Sequence, residues 1–430
     1  MAIALRYENG VEPTLYIPLG LPGVEIMAVE LDTEGYHITV RSVVNHTRCR
    51  NCDREITRSH GYDDPITVRH LSVFGLSTYI TFRPKRFVCP HCSTPERKVA
   101  TTQVLGWQAP RSPLTRAYED HVLLQLVNST IEDVSWKEHL SYDTVLGVLE
   151  RRIITEVVWG EFTDLEVIGI DEIARRKGHR DFLTLVTTRT AAGETRLLAV
   201  LPDRKKGTVK AFLDSIPPRL RRTVRTVCTD MWDGFANAVH ESFDPDPGCR
   251  VDLVIDRFHV AQQYYKAADN LRKKEMKRLK QQLSKAEYRK LRGVMWLFRR
   301  RWADLQSEEQ TRLEGLFQYA PKLKQAYQLR EQLTDIFDAL LSPEEAAAKL
   351  RAWGAAVRDS GLTCFNKFLT TLHNWWDGIL NYFTQRHTSG FVEGFNNKVK
   401  VLKHRCYGIL NVTHFFQRLY LDLEGYRLFG

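Results

Sequence analysis

The chain has 430 residues, with 62 Lys or Arg against 52 Asp or Glu and a formal charge of +10. This length allows two to four domains, and near-average apolar and charged fractions exclude a disordered or membrane class. The basic excess favours a polyanionic partner, and the N-terminal residues lack a signal peptide's layout, so a cytoplasmic location is expected.

In chain order, residues 24–29 and 37–40 alternate partly between apolar and polar and are predicted strands. Cys49-x2-Cys52 follows, then strand-like runs at 66–71 and 77–82, then Cys89-x2-Cys92. From Ser112-Pro113 the pattern turns helical, with a cap residue and a first-turn Pro. Leu123, Leu124, Leu126 and Val127 form an apolar face. Ser129-Thr130 precede a short segment with Val134 and Trp136, and Ser141 suits the cap of a third helix carrying Val145, Leu146, Val148 and Leu149. Three short capped helices resemble a helix-turn-helix.

Strand patterns return at 165–170, 182–186 and 197–201. They are followed by a helix at 208–216, a strand at 224–228, a helix at 235–239 and a strand at 251–255, which predicts an α/β unit with a mixed sheet. From 260 to 383 the chain reads as helix. Between Lys266 and Arg301 it holds 14 Lys or Arg against three Asp or Glu, a balance of +11 that accounts for the whole excess. Arg272, Lys273, Lys274, Lys277 and Arg278 lie in this run, as do Arg299-Arg300-Arg301 with Trp296, Phe298 and Trp302 interleaved. A helical surface facing nucleic acid is expected there, rather than a merely solvated face. A last helix starts near Thr388-Ser389.

Three groups of residues carry chemistry. Two Cys-x-x-Cys turns joined by strands present four thiolates, the donor set of a structural Zn²⁺ site, through Cys49, Cys52, Cys89 and Cys92. Asp171 ends the apolar run 167–170, and Asp230 stands just beyond 224–229. Carboxylates at neighbouring strand ends can converge and bind hard divalent cations suited to phosphodiester chemistry, although a strand-end Asp is also a common turn or cap residue. Glu393 lies in the first turn of the last helix between Gly390 and Gly394, an uncommon setting in a helix. Lys398, Lys400, Lys403 and Arg405 follow it, as suits a ligand beside a DNA backbone.

Taken together, Ile168-Gly-Ile-Asp-Glu172, Cys228-Thr-Asp-Met-Trp232, Val254-Ile-Asp-Arg-Phe-His-Val260 and Ser389-Gly-Phe-Val-Glu-Gly-Phe-Asn-Asn397 resemble the insertion-sequence transposases of the Asp-Asp-Glu type. The resemblance is to the ISL-three group with its N-terminal zinc finger, and Leu402-Lys-His-Arg405 and Gly408 extend it. It implies an RNase H-like core with Asp171, Asp230 and Glu393 as the catalytic trio, binding Mg²⁺ or Mn²⁺. It also implies that Asp256 and His259 support the trio after the fifth strand; Glu172 and Asp233 stand next to its members.

The expected fold class is therefore multidomain α+β. A strand-rich four-cysteine zinc domain spans 1–105 and a helix-turn-helix spans 110–157. An α/β core occupies 160–260 and 387–430, interrupted by an all-helical insertion at 261–386. The expected partners are double-stranded DNA, as terminal inverted repeats and as target, and at least one further copy of the chain when two ends are paired. The competing readings are a transposon-derived DNA-binding regulator and an RNase H-like nuclease or resolvase that does not transpose.

Overall fold

The computed structural model describes residues 18–174, 182–291, 293–386, 390–406 and 411–430, with backbone alone at 390–393, 395 and 396. The chain divides into two compact units, residues 1–154 with 417–430, and residues 155–416.

In the first unit, strands β1 (Val24–Leu31), β2 (Tyr36–Ser42), β6 (Ile66–Val73) and β7 (Leu76–Phe82) form a sheet ordered β1-β2-β7-β6. Alternation decides which face is buried. Tyr36, Ile38 and Val40 of β2 and Ile80 and Phe82 of β7 point into a core closed by Val68, Leu105 and Trp107. Short strands β3 (Thr47–Arg48), β4 (Glu55–Ile56), β5 (Ser59–Tyr62), β8 (Lys85–Val88) and β9 (Ala100–Thr102) surround the two cysteine turns over a small core of Ile56, Phe87 and Val99.

Three helices follow, α1 (Arg116–Leu126), α2 (Ile131–Glu138) and α3 (Tyr142–Arg152). Thr130 and Ser141 cap the second and third, their hydroxyls accepting from Asp133 N and Thr144 N. The first helix starts later than Ser112-Pro113 predicts. Arg69 N donates to the Pro113 carbonyl at 2.8 Å and Thr115 N to the Arg69 carbonyl at 2.9 Å, so this stretch bridges to β6 in extended form, and Thr115 becomes the cap. Val122, Leu123, Leu126, Val134, Val145, Val148 and Leu149 close the core, together with Leu421 from the C-terminal helix Val412–Phe429. Glu119 is fully buried beneath Arg151 and Arg152, which approach its carboxylate to 2.6 and 3.1 Å.

The second unit is built on β10 (Val167–Ala174), β11 (Phe182–Arg189), β12 (Thr195–Leu201), β13 (Thr226–Thr229) and β14 (Asp252–Ile255), ordered β12-β11-β10-β13-β14. The first three pair antiparallel, while β13 and β14 run parallel to β10. Continuous apolar runs such as Val167-Ile-Gly-Ile fit strands buried on both faces. One face packs on α4 (Lys206–Asp214) and α6 (Asp233–Phe243) through Val209, Leu213, Phe235 and Val239; α5 (Pro218–Arg221) adds Leu220. On the other face Val167, Cys228, Val254 and Ile255 join a helical core.

That core belongs to α7 (Arg257–Gln282), α8 (Lys285–Lys290), α9 (Val294–Arg299), α10 (Ser307–Tyr319), α11 (Pro321–Asp338), α12 (Pro343–Asp359), α13 (Asn366–Asn374) and α14 (Trp376–Gln385). Tyr264 stacks on Phe365 at 4.6 Å and lies edge-on to Phe368. Helix α14 lies directly on β14: a Cβ at Gly378 would stand 2.8 Å from the Ile255 side chain, and Asn381 donates to the Leu253 carbonyl. After α14 come α15 (Gly390–Arg405) and α16, the helix Val412–Phe429. No helix among the described residues is long and apolar enough to cross a membrane.

Candidate active site and the four-cysteine cluster

The parallel strands set the geometry. Ile170 pairs with Thr229, and Thr229 with Ile255, so one further step along each strand brings Asp171, Asp230 and Asp256 to neighbouring positions at one sheet edge. Asp171 and Asp256 are 8% and 4% exposed. Asp256 is also the cap of α7, accepting from Phe258 N at 2.8 Å, which fixes the direction in which the helix leaves the sheet. His259 sits in the first turn, its ring edge-on to Phe258.

Asp230 is the electrostatically strained member. Burial, then the charges of Glu172 and Asp171, push its carboxyl up to about 7, against a smaller opposing pull from Arg204. Its Oδ1 is buried and has no hydrogen-bond partner among the described residues. A buried carboxylate oxygen left unpaired beside two more carboxylates is costly unless a cation joins them. The donor set is all oxygen and acidic, and it fits a hard divalent ion.

Arg204 is a site residue that the sequence reading missed. Its guanidinium meets Glu172 at 2.7 Å and lies 4.3 Å from the Trp232 ring centre and 4.4 Å from that of Phe182. Gly234 makes room for this, because a Cβ there would come within 2.5 Å of the Trp232 indole nitrogen. Arg204 follows β12 without a telling spacing; only the fold brings it to Glu172.

Helix α15 packs beside β10, with Val399 and Leu402 buried and Lys403 donating to the Ala174 carbonyl. The side chain of Glu393 lies outside the described residues, as do Ser389 and Gly408 of the sequence motif. Lys398 and Lys400 are exposed, and Arg405 is partly buried.

The basic run separates into two chemistries. Asp269 takes Arg272 at 2.8 Å, Lys273 at 3.0 Å and Arg299 at 3.6 Å. Arg278 pairs with Glu275, Arg300 with Glu309, and Arg301 with Asp335 and Asp338. Phe298 is core and Trp302 packs against it, whereas Trp296 is exposed under Arg299. Lys266, Lys273, Lys277 and Lys280 are exposed at helical spacing along α7, opposite its buried Tyr264, Ala268, Leu271 and Leu279, and exposed Lys274 flanks them.

In the first unit the sulfurs of Cys49, Cys52, Cys89 and Cys92 all lie within 4.8 Å of one another. The separations of 4.0 Å (Cys49–Cys92) and 3.7 Å (Cys52–Cys89) match the roughly 3.8 Å edge of a tetrahedron with Zn–S bonds of about 2.3 Å. The Asn51 amide, donating to Cys49 Sγ, leads the interactions that hold that thiol down at about 6. Hydrogen bonding to Cys52, then burial, pushes Cys92 up to about 12. Without a cation the four sulfurs resist ionising together, and zinc relieves that opposition.

A family model described as a transposase, that of the ISL3 type, matches residues 168–419. The chain belongs to the ISL3-type transposases. A second model, the zinc-finger of transposase IS204/IS1001/IS1096/IS1165, matches residues 46–92 and so spans both cysteine pairs. Together with the sulfur geometry it supports a structural zinc site in this transposase. Among relatives, the transposase for insertion sequence element IS1001 of Bordetella parapertussis is 25% identical over 359 residues, covering 83% of this chain and 84% of its own. The transposase for IS1557 of Mycobacterium tuberculosis is 22% identical over 406 residues, covering 88% and 86%. A solved structure, the Drosophila P element transposase strand transfer complex, matches with a TM-score of 0.40 and 12% identity over 71% of this chain and 91% of that one.

Proposed function

We propose that this transposase binds the terminal inverted repeats of an insertion sequence and cuts and joins DNA strands at Asp171, Asp230 and Glu393, which hold two Mg²⁺ or Mn²⁺ ions. The observation that carries this reading is the convergence of Asp171, within β10, and Asp230, just past the end of the adjacent parallel β13, with one Asp230 oxygen buried and without a hydrogen-bond partner among the described residues. When bound, such ions supply Lewis-acid activation of an attacking oxygen and stabilise the leaving one. The protein's own part is placement. Strands β10 and β13 fix the two aspartates, Arg204 draws Glu172 aside, and the Asp256 cap sets the exit of α7. The sheet order, with α15 beside β10, supports reading 160–260 and the start of 387–430 as an RNase H-like core around an all-helical insertion at 261–386; residues 417–430 belong instead to the first unit, where Leu421 joins its core.

The capped helices α1 to α3 support a helix-turn-helix over 110–157, following the zinc domain over 1–105, and both suit recognition of a fixed DNA sequence. Phosphate contacts are assigned to Lys273, Lys274, Lys277, Lys398, Lys400, Lys403 and Arg405. Arg272 and Arg278 pair with Asp269 and Glu275; Lys273 also meets Asp269 and Lys403 the Ala174 carbonyl, so these two lysines exchange a partner for phosphate. The enzyme acts as a dimer or larger assembly when two ends are held together.

The test is cleavage of a duplex carrying the element's end in Mg²⁺. Asp171→Asn and Glu393→Gln should abolish strand cleavage and leave binding of the end intact. Full cleavage by either variant refutes the assignment.

A further inference from the structure

Beside the carboxylates, and used by none of the steps above, the second unit holds a cavity of about 390 Å³ between the start of α7 and α11. Its walls include Phe258, Tyr265, Leu333, Phe337 and Arg330. Two features set it apart from leftover packing space. Phe258 is 53% exposed and Tyr265 37% exposed, so two aromatic faces stand open to solvent in one concavity. Arg330 is the opposite case, 4% exposed and yet leaving Nε without a partner among the described residues. Its other nitrogens donate to the Phe298 and Arg300 carbonyls, and its guanidinium lies 4.3 Å from the Tyr327 ring centre. Glu331 pairs with the same group, so the guanidinium is braced from behind as a fixed cationic wall.

We infer that this cavity receives one unstacked nucleobase of the DNA end being cut. Aromatic faces at the mouth over a fixed guanidinium wall are the chemistry that takes up a base, by stacking. The volume exceeds that of a single base and lies at the lower end for ligand pockets. Position argues for the same occupant. Asp256, on the cavity wall, donates its amide to the carbonyl of Thr229, the residue before Asp230, so the cavity opens next to the carboxylate pair. The helix that supplies Phe258 and Tyr265 carries the lysine row from Lys266 to Lys280. A strand held by those lysines and leading to the carboxylates passes the cavity on the way. The unstacking cost of a few kcal/mol is lowest at a frayed or nicked end, which is where this site lies.

This inference rests on the proposed reaction at a DNA end. The experiment uses the full-length chain with Ca²⁺ in place of Mg²⁺ and duplexes carrying the element's end, with 5-iodouracil placed at each position around the cut. Photo-cross-linking followed by peptide mapping should place one position, next to the cleaved bond, on Phe258 or Tyr265. In Mg²⁺, Phe258→Ala should slow cleavage about tenfold, in the range that loss of one base–aromatic stack gives. Binding of the end should stay within about threefold, and Phe258→Trp should restore the rate. Cross-links confined to other segments, or a Phe258→Ala enzyme with unchanged cleavage, overturn the inference while leaving the proposed function standing. Failure of the wild-type chain to bind the ends overturns both.

Discussion

Replacing Asp230 by Asn should change how the stability of the second unit depends on pH. In the folded protein its carboxyl is held at about 7 by burial and by Glu172 and Asp171, whereas an unfolded chain releases the same proton near pH 4. Between these values the folded form keeps a proton that the unfolded form has lost. Stability therefore falls as pH rises from about 4, and the loss is complete above about 7. A difference of about three pH units sets a ceiling of roughly 4 kcal/mol, and residual solvent access brings the expected value to about 2–4 kcal/mol. At about 2–4 °C per kcal/mol for a unit of this size, the gap between Asp230→Asn and wild type should open by roughly 5–10 °C between pH 4 and pH 8. The assay is differential scanning calorimetry of both proteins in EDTA across that range, repeated in millimolar Mg²⁺. Cation should stabilise the wild type at pH 8 and close most of the gap. Parallel curves for the two proteins, or a wild type that gains on the variant as pH rises, refute the argument that burial and neighbouring acids strain Asp230.

Four further outcomes follow from the same geometry. Metal analysis should find one zinc per chain that survives Asp171→Asn, and Cys89→Ser should lose it and melt the first unit at a lower temperature; a Cys89→Ser protein with unchanged melting would count against the site. Reversing Lys273, Lys277 and Lys280 to Glu should weaken binding and reduce the slope of log affinity against log salt by about 3, as read by fluorescence anisotropy at several salt concentrations. Glu119→Ala should cost about 3 kcal/mol in urea unfolding, because it leaves Arg151 and Arg152 without their buried partner. Gly378→Ala should cost about 1–3 kcal/mol by forcing α14 off Ile255, measured in the same way.

Residues whose role follows from local pattern were legible in the sequence. The strands of the second unit announced themselves as apolar runs, Thr130 and Ser141 as caps, and the cysteine pairs as metal turns. What the sequence could not carry was pairing between distant segments. Ser112-Pro113 looks like a helix start because cap and Pro fit one, but the carbonyl of Pro113 is claimed by Arg69, more than forty residues earlier. Arg204 is one basic residue among several in Asp203-Arg204-Lys205-Lys206. Its importance arises only where β12 ends opposite Glu172 and beneath Trp232. The basic run shows the same limit. Counting charges gives a balance of +11, but the acids that neutralise Arg300 and Arg301 (Glu309, Asp335 and Asp338) lie outside the segment counted.

That division of charge has a physical reason. Guanidinium groups hold fixed, bidentate geometry and are weakly hydrated, so they suit the seams of a helical bundle, where Arg278, Arg300, Arg301 and buried Arg330 hold one helix to the next. Ammonium groups are strongly hydrated and mobile, so they remain on the solvent side of α7. On α7 itself, Arg257 reaches Asp338 and Arg278 reaches the Tyr319 carbonyl, so the helix has arginine-braced contacts as well as a lysine side able to follow a phosphate backbone in more than one register. Because Asp256 caps it at the sheet edge, its axis starts next to Asp171 and Asp230. A rotation or shift of α7 would move the lysine row and the aromatic mouth together relative to the carboxylates. The arginine seams are therefore predicted to affect cleavage through position. Arg301→Lys should leave the salt dependence of binding unchanged and still lower the rate, whereas substitution of the lysines should do the reverse.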